Sequence, residues 1–210
     1  MFFIIKHQYN SEVNIYEIYF YNGGMSEEEV KLKKKVVLLG DGAVGKTSLI
    51  RRFVFDKFDD KYITTIGTKV SKKDIVKPLP DLGIRIKLTL MVWDILGQRG
   101  INQLHNMYYQ NAKAALMVCD ITRKTSLENL RSWRADLFNV TGEIPALILM
   151  NKIDLLKQAE INVDDVENLV KDWDIDCYLT SAKSGRNVEV VFNKIGTLLM
   201  KSEIIELQNK

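Results

Sequence analysis

The sequence predicts an α/β fold, a doubly wound and mostly parallel sheet covered by helices on both faces. Three observations carry this. Apolar runs of strand length recur at residues 35–40, 84–94, 114–122, 145–154 and 176–183. Four of them are apolar throughout, the pattern of parallel strands buried on both sides. Helix-like segments lie near 46–55, 127–139, 163–172 and 187–201. Strand and helix therefore alternate along the chain. Finally, "GIRIKLTLMVW" (83–93) begins with strict apolar–polar alternation and follows "KVSKKDIVK" (69–77). These two form an antiparallel hairpin turning through "PLPDLG" at 78–83, where proline fixes φ and glycine supplies freedom.

Taken in order, "KVVLLG" is a buried strand that runs into a glycine turn, and "TSLIRRF" leaves that turn as a helix. The hairpin follows. "AALMVCDIT", "PALILMNKID" and "DCYLTSAK" are the later strands, and helical segments connect them or close the chain. Residues 1–33 are set apart as an N-terminal extension, 34–203 as the domain and 204–210 as a tail. The stretch before Met25 is open to three readings: a start that truly lies at Met25, an ordered extra element, or a disordered tail.

With 210 residues, 46% of them hydrophobic and 27% charged, the chain suits one well-filled core. A net charge of +3 gives no basis for nucleic-acid binding. The cluster Lys31, Lys33, Lys34 and Lys35 reads as a solvated lead-in to the first strand, with contact to an acidic surface as the other reading. Cys119 and Cys177 lie in apolar runs and read as core residues of a reduced cytoplasmic protein. No metal pattern joins them to His7 or His105. The start resembles no signal peptide, and "IIELQNK" at the end offers no cysteine for a lipid anchor.

The chemistry begins at "GDGAVGKT" (40–47), which satisfies G-x-x-x-x-G-K-[ST]. Backbone amides of Asp41, Gly42, Ala43, Val44 and Gly45 can converge on a polyphosphate, and the helix that follows, opening with Thr47 and Ser48, adds its positive end. Lys46 can reach the β- and γ-phosphates, and Thr47 can ligate Mg²⁺. "NKID" (151–154) ends another apolar strand. Asp154 can accept two hydrogen bonds from guanine where adenine would present a lone pair. Asn151 can tether the loop, and the stem of Lys152 can cover the base. "TSAKSG" (180–185), with Ser181, Ala182 and Lys183, can bring the Ala182 amide to the guanine carbonyl. In "VWDILGQ" (92–98), Asp94 can hold Mg²⁺ through water, Gly97 can meet the γ-phosphate, and Gln98 can orient an attacking water. Taken alone, N-K-x-D is a strand end with a helix cap. Three such motifs in this order, each after a strand, point to one guanine nucleotide.

With these residues in view, the chain resembles a small GTPase of the Ras superfamily, nearest its Rab branch, over about residues 34–200. Supporting segments are "FDDKYITTIGT" (58–68), "MYYQNAKAALMVCDIT" (107–122) and "SLENLRSW" (126–133), with Trp93 and Tyr108 at positions where Rab proteins keep aromatic residues. The resemblance implies a P-loop fold of six strands, one antiparallel, with about five helices. It implies GTP and GDP with Mg²⁺, Phe58 on the guanine edge, and Thr65 closing over metal and γ-phosphate. Lys46, Thr65 and Gln98 would be the catalytic set. It also implies a monomeric switch served by an exchange factor, a GTPase-activating protein and effectors.

The chain departs from that pattern in four ways. Ile95, Leu96 and Arg99 stand where the family has Thr, Ala and Glu, and Leu96 adds bulk beside the γ-phosphate sensor. Gly100 and Ile101 replace the usual Arg-Phe. The hairpin is longer, and no cysteine ends the chain, so a membrane seat would come through a partner or the N-terminal segment. Two alternatives follow. One is a GTP-dependent effector-binding module with little hydrolysis. The other, an ATP-using enzyme, is disfavoured by Asn151, Lys152 and Asp154.

Overall fold

The computed structural model describes residues 28–58, 68–80, 83–95, 107–171, 173 and 175–208. In chain order the elements are β1 (Glu28–Leu39), α1 (Lys46–Phe55), β2 (Lys69–Leu79), β3 (Ile84–Asp94), β4 (Ala114–Asp120), α2 (Lys124–Glu128), α3 (Leu130–Thr141), β5 (Ala146–Asn151), a 3-10 helix (Ile153–Gln158), α4 (Val163–Val170), β6 (Cys177–Leu179) and α5 (Val188–Gln208). One six-stranded sheet holds them in the order β2-β3-β1-β4-β5-β6. The β2–β3 pair is antiparallel and the other neighbouring pairs are parallel. The predicted α/β class, hairpin and strand count are all present.

Each sheet face carries its own core. On one side Leu38, Leu88 and Leu90 meet Leu49 and Phe53 of α1 and Phe192 and Ile195 of α5. Phe53 and Phe192 stack with ring centroids 4.0 Å apart and planes 3° from parallel. On the other side Leu39, Met117 and Cys119 meet Leu130, Trp133 and Leu137 of α3. Every residue of β4 and β5 is buried, which is why those two sequences run apolar without alternation.

Several local details differ from the sequence reading. β1 begins at Glu28, ahead of residue 34, so the lysine cluster belongs to the strand. Lys34 pairs with Glu203 of α5. Lys35 lies 3.9 Å from the Trp93 ring centroid and donates to the Gln110 carbonyl at 2.9 Å. A solvated lead-in therefore describes the exposed Lys31 and Lys33 and not their neighbours. Pro78 lies inside β2, opposite Arg85, where β2 forms the sheet's edge, a place proline tolerates. β6 is three residues long, half-exposed and at the other edge. α5 continues to Gln208, through the stretch read as a tail.

The register brings chemistry to one edge. Leu38 pairs with Asp94, and Asp120 with Asn151. The parallel strands β1, β3, β4 and β5 thus end together, and the loop 40–45 opens among them. Open α/β sheets bind ligands at this carboxyl end.

Candidate functional site

At two positions the loop after β1 has no room for a side chain. A Cβ on Gly40 (φ 130°) would lie 2.1 Å from the Val118 carbonyl oxygen, and one on Gly45 (φ 100°) 2.3 Å from Asn151 Nδ2. Ala43 is also left-handed, at φ 62°. Left-handed residues at 43 and 45 curl the backbone into a concave row of amides, a nest suited to anions. Gly45 is the N-cap of α1 and brings no side chain to its open amides, which adds the helix's positive end to the same place.

Lys46 is buried, and its Nζ donates to the carbonyls of Gly40 at 2.7 Å and Asp41 at 2.8 Å. Burial pushes its pKa down to about 8, against the pull of the Asp94 and Asp41 carboxylates and with repulsion from Arg123. Asp41 turns its carboxylate toward the start of α3, accepting from Asn129 Nδ2 at 2.7 Å and Trp133 Nε1 at 2.9 Å. Its backbone, and not its side chain, serves the loop. Arg123 Nη2 donates to the Gly42 carbonyl at 2.8 Å.

Beside the loop, the Thr47 hydroxyl donates to Asp94 Oδ2, and Asp94 is buried at the end of β3. A hydroxyl and a carboxylate in contact are hard oxygen donors of the kind Mg²⁺ takes alongside phosphate oxygens. Ser48, next in α1, is half-buried.

At the other end of the edge, Asn151 is 1% exposed. Its Nδ2 donates to the Val44 carbonyl at 2.9 Å, and its Oδ1 accepts from the Ala182 amide at 3.2 Å and the Thr180 hydroxyl at 3.3 Å. The amide expected at a guanine carbonyl thus donates here to Asn151. Ser181 Oγ donates to Asp154 Oδ1 at 2.6 Å and accepts from the Ser184 amide at 3.0 Å. Asp154 is exposed, so any burial of its carboxylate must come from the ligand itself. Lys152 sits at φ 68° and pairs with Asp120 at 2.6 Å. Arg52 of α1 grips the turn carbonyls of Ala182 at 3.0 Å and Lys183 at 2.8 Å. Phe58 packs against the α1–α5 core. Trp93 and Tyr108 pack against the opposite one. Thr65, Leu96, Gly97, Gln98 and Arg99 lie outside the described residues.

Sequence reasoning missed Asp120, Arg123, Asn129 and Trp133, which hold the motif residues from behind. A local signal is lacking: "DITR" (120–123) is a charged end to an apolar strand, and the partners Lys152 and Gly42 lie far along the chain. Among the described residues no group of three or more His, Cys, Asp or Glu could hold a metal by itself. Among them, too, no helix is long and apolar enough to cross a membrane.

The Ras family model matches residues 35–201. The chain is 37% identical over 159 residues to Ras-related protein Rab-21 of Canis lupus familiaris, covering 75% of this chain and 69% of that one. The Homo sapiens Rab-21 matches at 37%, over 75% of this chain and 68% of its own. Ras-related protein Rab-13 of Mesocricetus auratus is 35% identical over 170 residues, covering 80% and 81%. A strand–nest–helix unit, the Thr47–Asp94 pair and the Asn151–Asp154 loop thus stand within a match that spans nearly the whole described fold, and the chain belongs to the Ras family as a Rab-like small GTPase.

Proposed function

We propose that this protein binds GTP and GDP with Mg²⁺, hydrolyses GTP to GDP, and acts as a molecular switch. The observation that carries the reading is the joining of the two ends of the site by one side chain, since Asn151 bonds both the Val44 carbonyl and the Ala182 amide. A ligand spanning them would have a polyphosphate at one end and a base at the other.

In this reading the amides of residues 41–45 and the Lys46 ammonium take the phosphates. On binding, Lys46 exchanges the carbonyls of Gly40 and Asp41 for phosphate oxygens. Thr47 and Asp94 would hold Mg²⁺, with Thr65 from outside the described residues, and the bound ion would neutralise phosphate charge. Asp154, oriented by Ser181, accepts from the guanine edge, and Lys152 covers the ring with its stem while Asp120 holds its ammonium. Gln98 orients the attacking water and Gly97 senses the γ-phosphate. The phosphate-dependent state of the segments around Thr65 and Gln98 is what an effector reads, while an exchange factor and a GTPase-activating protein set the timing. The protein works as a cytoplasmic monomer and reaches membranes through a partner.

The test is single-turnover hydrolysis of GTP by the purified full chain with Mg²⁺. Slow phosphate release, on the order of 10⁻⁴ s⁻¹ as for unaided enzymes of this mechanism, is expected. No release above buffer over a day would refute hydrolysis.

A further inference from the structure

We propose that Arg123 is a positioning residue for the phosphate loop: its guanidinium grips the Gly42 carbonyl and thereby aims the Ala43 amide into the cradle. The inference rests on reading the loop 40–45 as a phosphate site.

Arg123 stands three residues beyond the end of β4, and its Nη2 reaches the Gly42 carbonyl at 2.8 Å across 81 positions of sequence. In a trans peptide the C=O and the N–H point in opposite directions, and no described peptide is cis. Holding the Gly42 carbonyl on the arginine's side therefore turns the Ala43 N–H to the other. Asn151 does the same two residues on, where its grip on the Val44 carbonyl sets the Gly45 amide. The two side chains together hold alternate peptides of the nest from behind.

The grip is needed at this position. Ala43 is left-handed at φ 62°, a conformation that costs a residue with a Cβ. Gly45, also left-handed, bears no such penalty. Arg123 is moreover committed to the loop. Among the described residues its buried Nε meets no acceptor, and its charge is felt by the Lys46 ammonium. Its guanidinium carries only donors and cannot cap the amides of α2, so the helix start does not account for its reach to Gly42.

The test is a double-mutant cycle on the full chain loaded with fluorescently labelled GDP or GTP, read as the release rate. Arg123→Gln is expected to speed release roughly tenfold, the loss of one charge-assisted hydrogen bond. Both nucleotides should accelerate by the same factor to within about twofold, because the arginine holds the loop and not the terminal phosphate. In an Ala43→Gly background, where the left-handed turn carries no strain, the same change should speed release less than about threefold. Arg123→Lys, which keeps the charge and loses the fork, should give a rise of about two- to fivefold that vanishes with Ala43→Gly. It carries the cycle should the glutamine variant not fold. Unchanged release, equal acceleration in both backgrounds, or an effect confined to GTP would overturn the proposal. Failure of the unaltered protein to take up either labelled nucleotide would instead refute the underlying phosphate-site reading.

Discussion

The side-chain amide of Asn151, at the end of β5, donates to the Val44 carbonyl in the loop after β1, at 2.9 Å and 107 positions away in sequence. Its oxygen accepts from Ala182 and Thr180 on the far side. One buried side chain therefore couples the two ends of the site.

Asn151→Ala removes three buried hydrogen bonds at once. At about 1 kcal/mol each, about 3 kcal/mol together, guanine nucleotide affinity should fall by up to roughly 150-fold. Titration calorimetry on the two proteins checks this, and equal affinities would show that the coupling has no bearing on binding.

Two glycines with left-handed backbone should respond differently to alanine. At Gly40 the new Cβ meets the Val118 carbonyl oxygen at 2.1 Å, whereas at Gly83 (φ 63°) it meets nothing within 4 Å. Gly83→Ala should cost only the backbone strain, about 1–2 kcal/mol. Gly40→Ala adds a clash with main chain and should cost about 3 kcal/mol or more. Urea unfolding of both variants would expose equal costs if the contact is unimportant.

Acid should act through Asp120. Burial alone would raise its pKa, but hydrogen bonds from Lys152 and from the Thr122 amide and hydroxyl outweigh that and hold it below the usual carboxylate value. The folded pKa therefore lies below the unfolded one. The stabilisation is complete above the unfolded value near 4 and is lost as pH falls through the folded value. Asp120→Asn should flatten the acid limb of a stability–pH curve and leave its neutral region with a constant offset. An unchanged acid limb would remove Asp120 as the cause.

The stacked pair Phe53 and Phe192 pins α1, and with it Lys46 and Thr47, against α5. Phe192→Ala should cost about 3–5 kcal/mol, within the usual range for a buried phenylalanine. A loss below 1 kcal/mol in chemical denaturation would mean that the site's helix is held elsewhere.

Base recognition should move with one atom. Asp154→Asn replaces an acceptor by a donor, so GDP should weaken by about 100-fold or more while a xanthosine diphosphate gains. Competition binding with both nucleotides reads the exchange. Intact GDP affinity would show that Asp154 does not read the base.

Much of this was legible in the sequence because buried parallel strands and a phosphate nest both have narrow residue requirements. Four continuous apolar runs and the alternation after Gly83 sufficed for the sheet. The glycines at 40 and 45 mark the places where a Cβ cannot fit. What escaped notice depends on side chains meeting across the fold. Nothing in "DITR" says that Asp120 will pair with Lys152 or that Arg123 will reach Gly42. Nor does "GDG" reveal that Asp41 will turn toward Trp133. Lys34 and Lys35 of β1 look solvated because their partners, Glu203 and Trp93, lie far along the chain. Strand ends were similarly obscure. β1 starts at Glu28 because its pairing with Ile84 begins there, a long-range fact with no local signal.

Equilibrium competition between GDP and ADP for the full chain with Mg²⁺ tests most directly whether the nest at 40–47 and Asp154 hold the two ends of one guanine nucleotide. ADP binding at least ~10⁴-fold weaker is the expected result, since a site built around guanine's donors leaves Asp154 facing a lone pair when adenine enters. Comparable affinities for the two would contradict it.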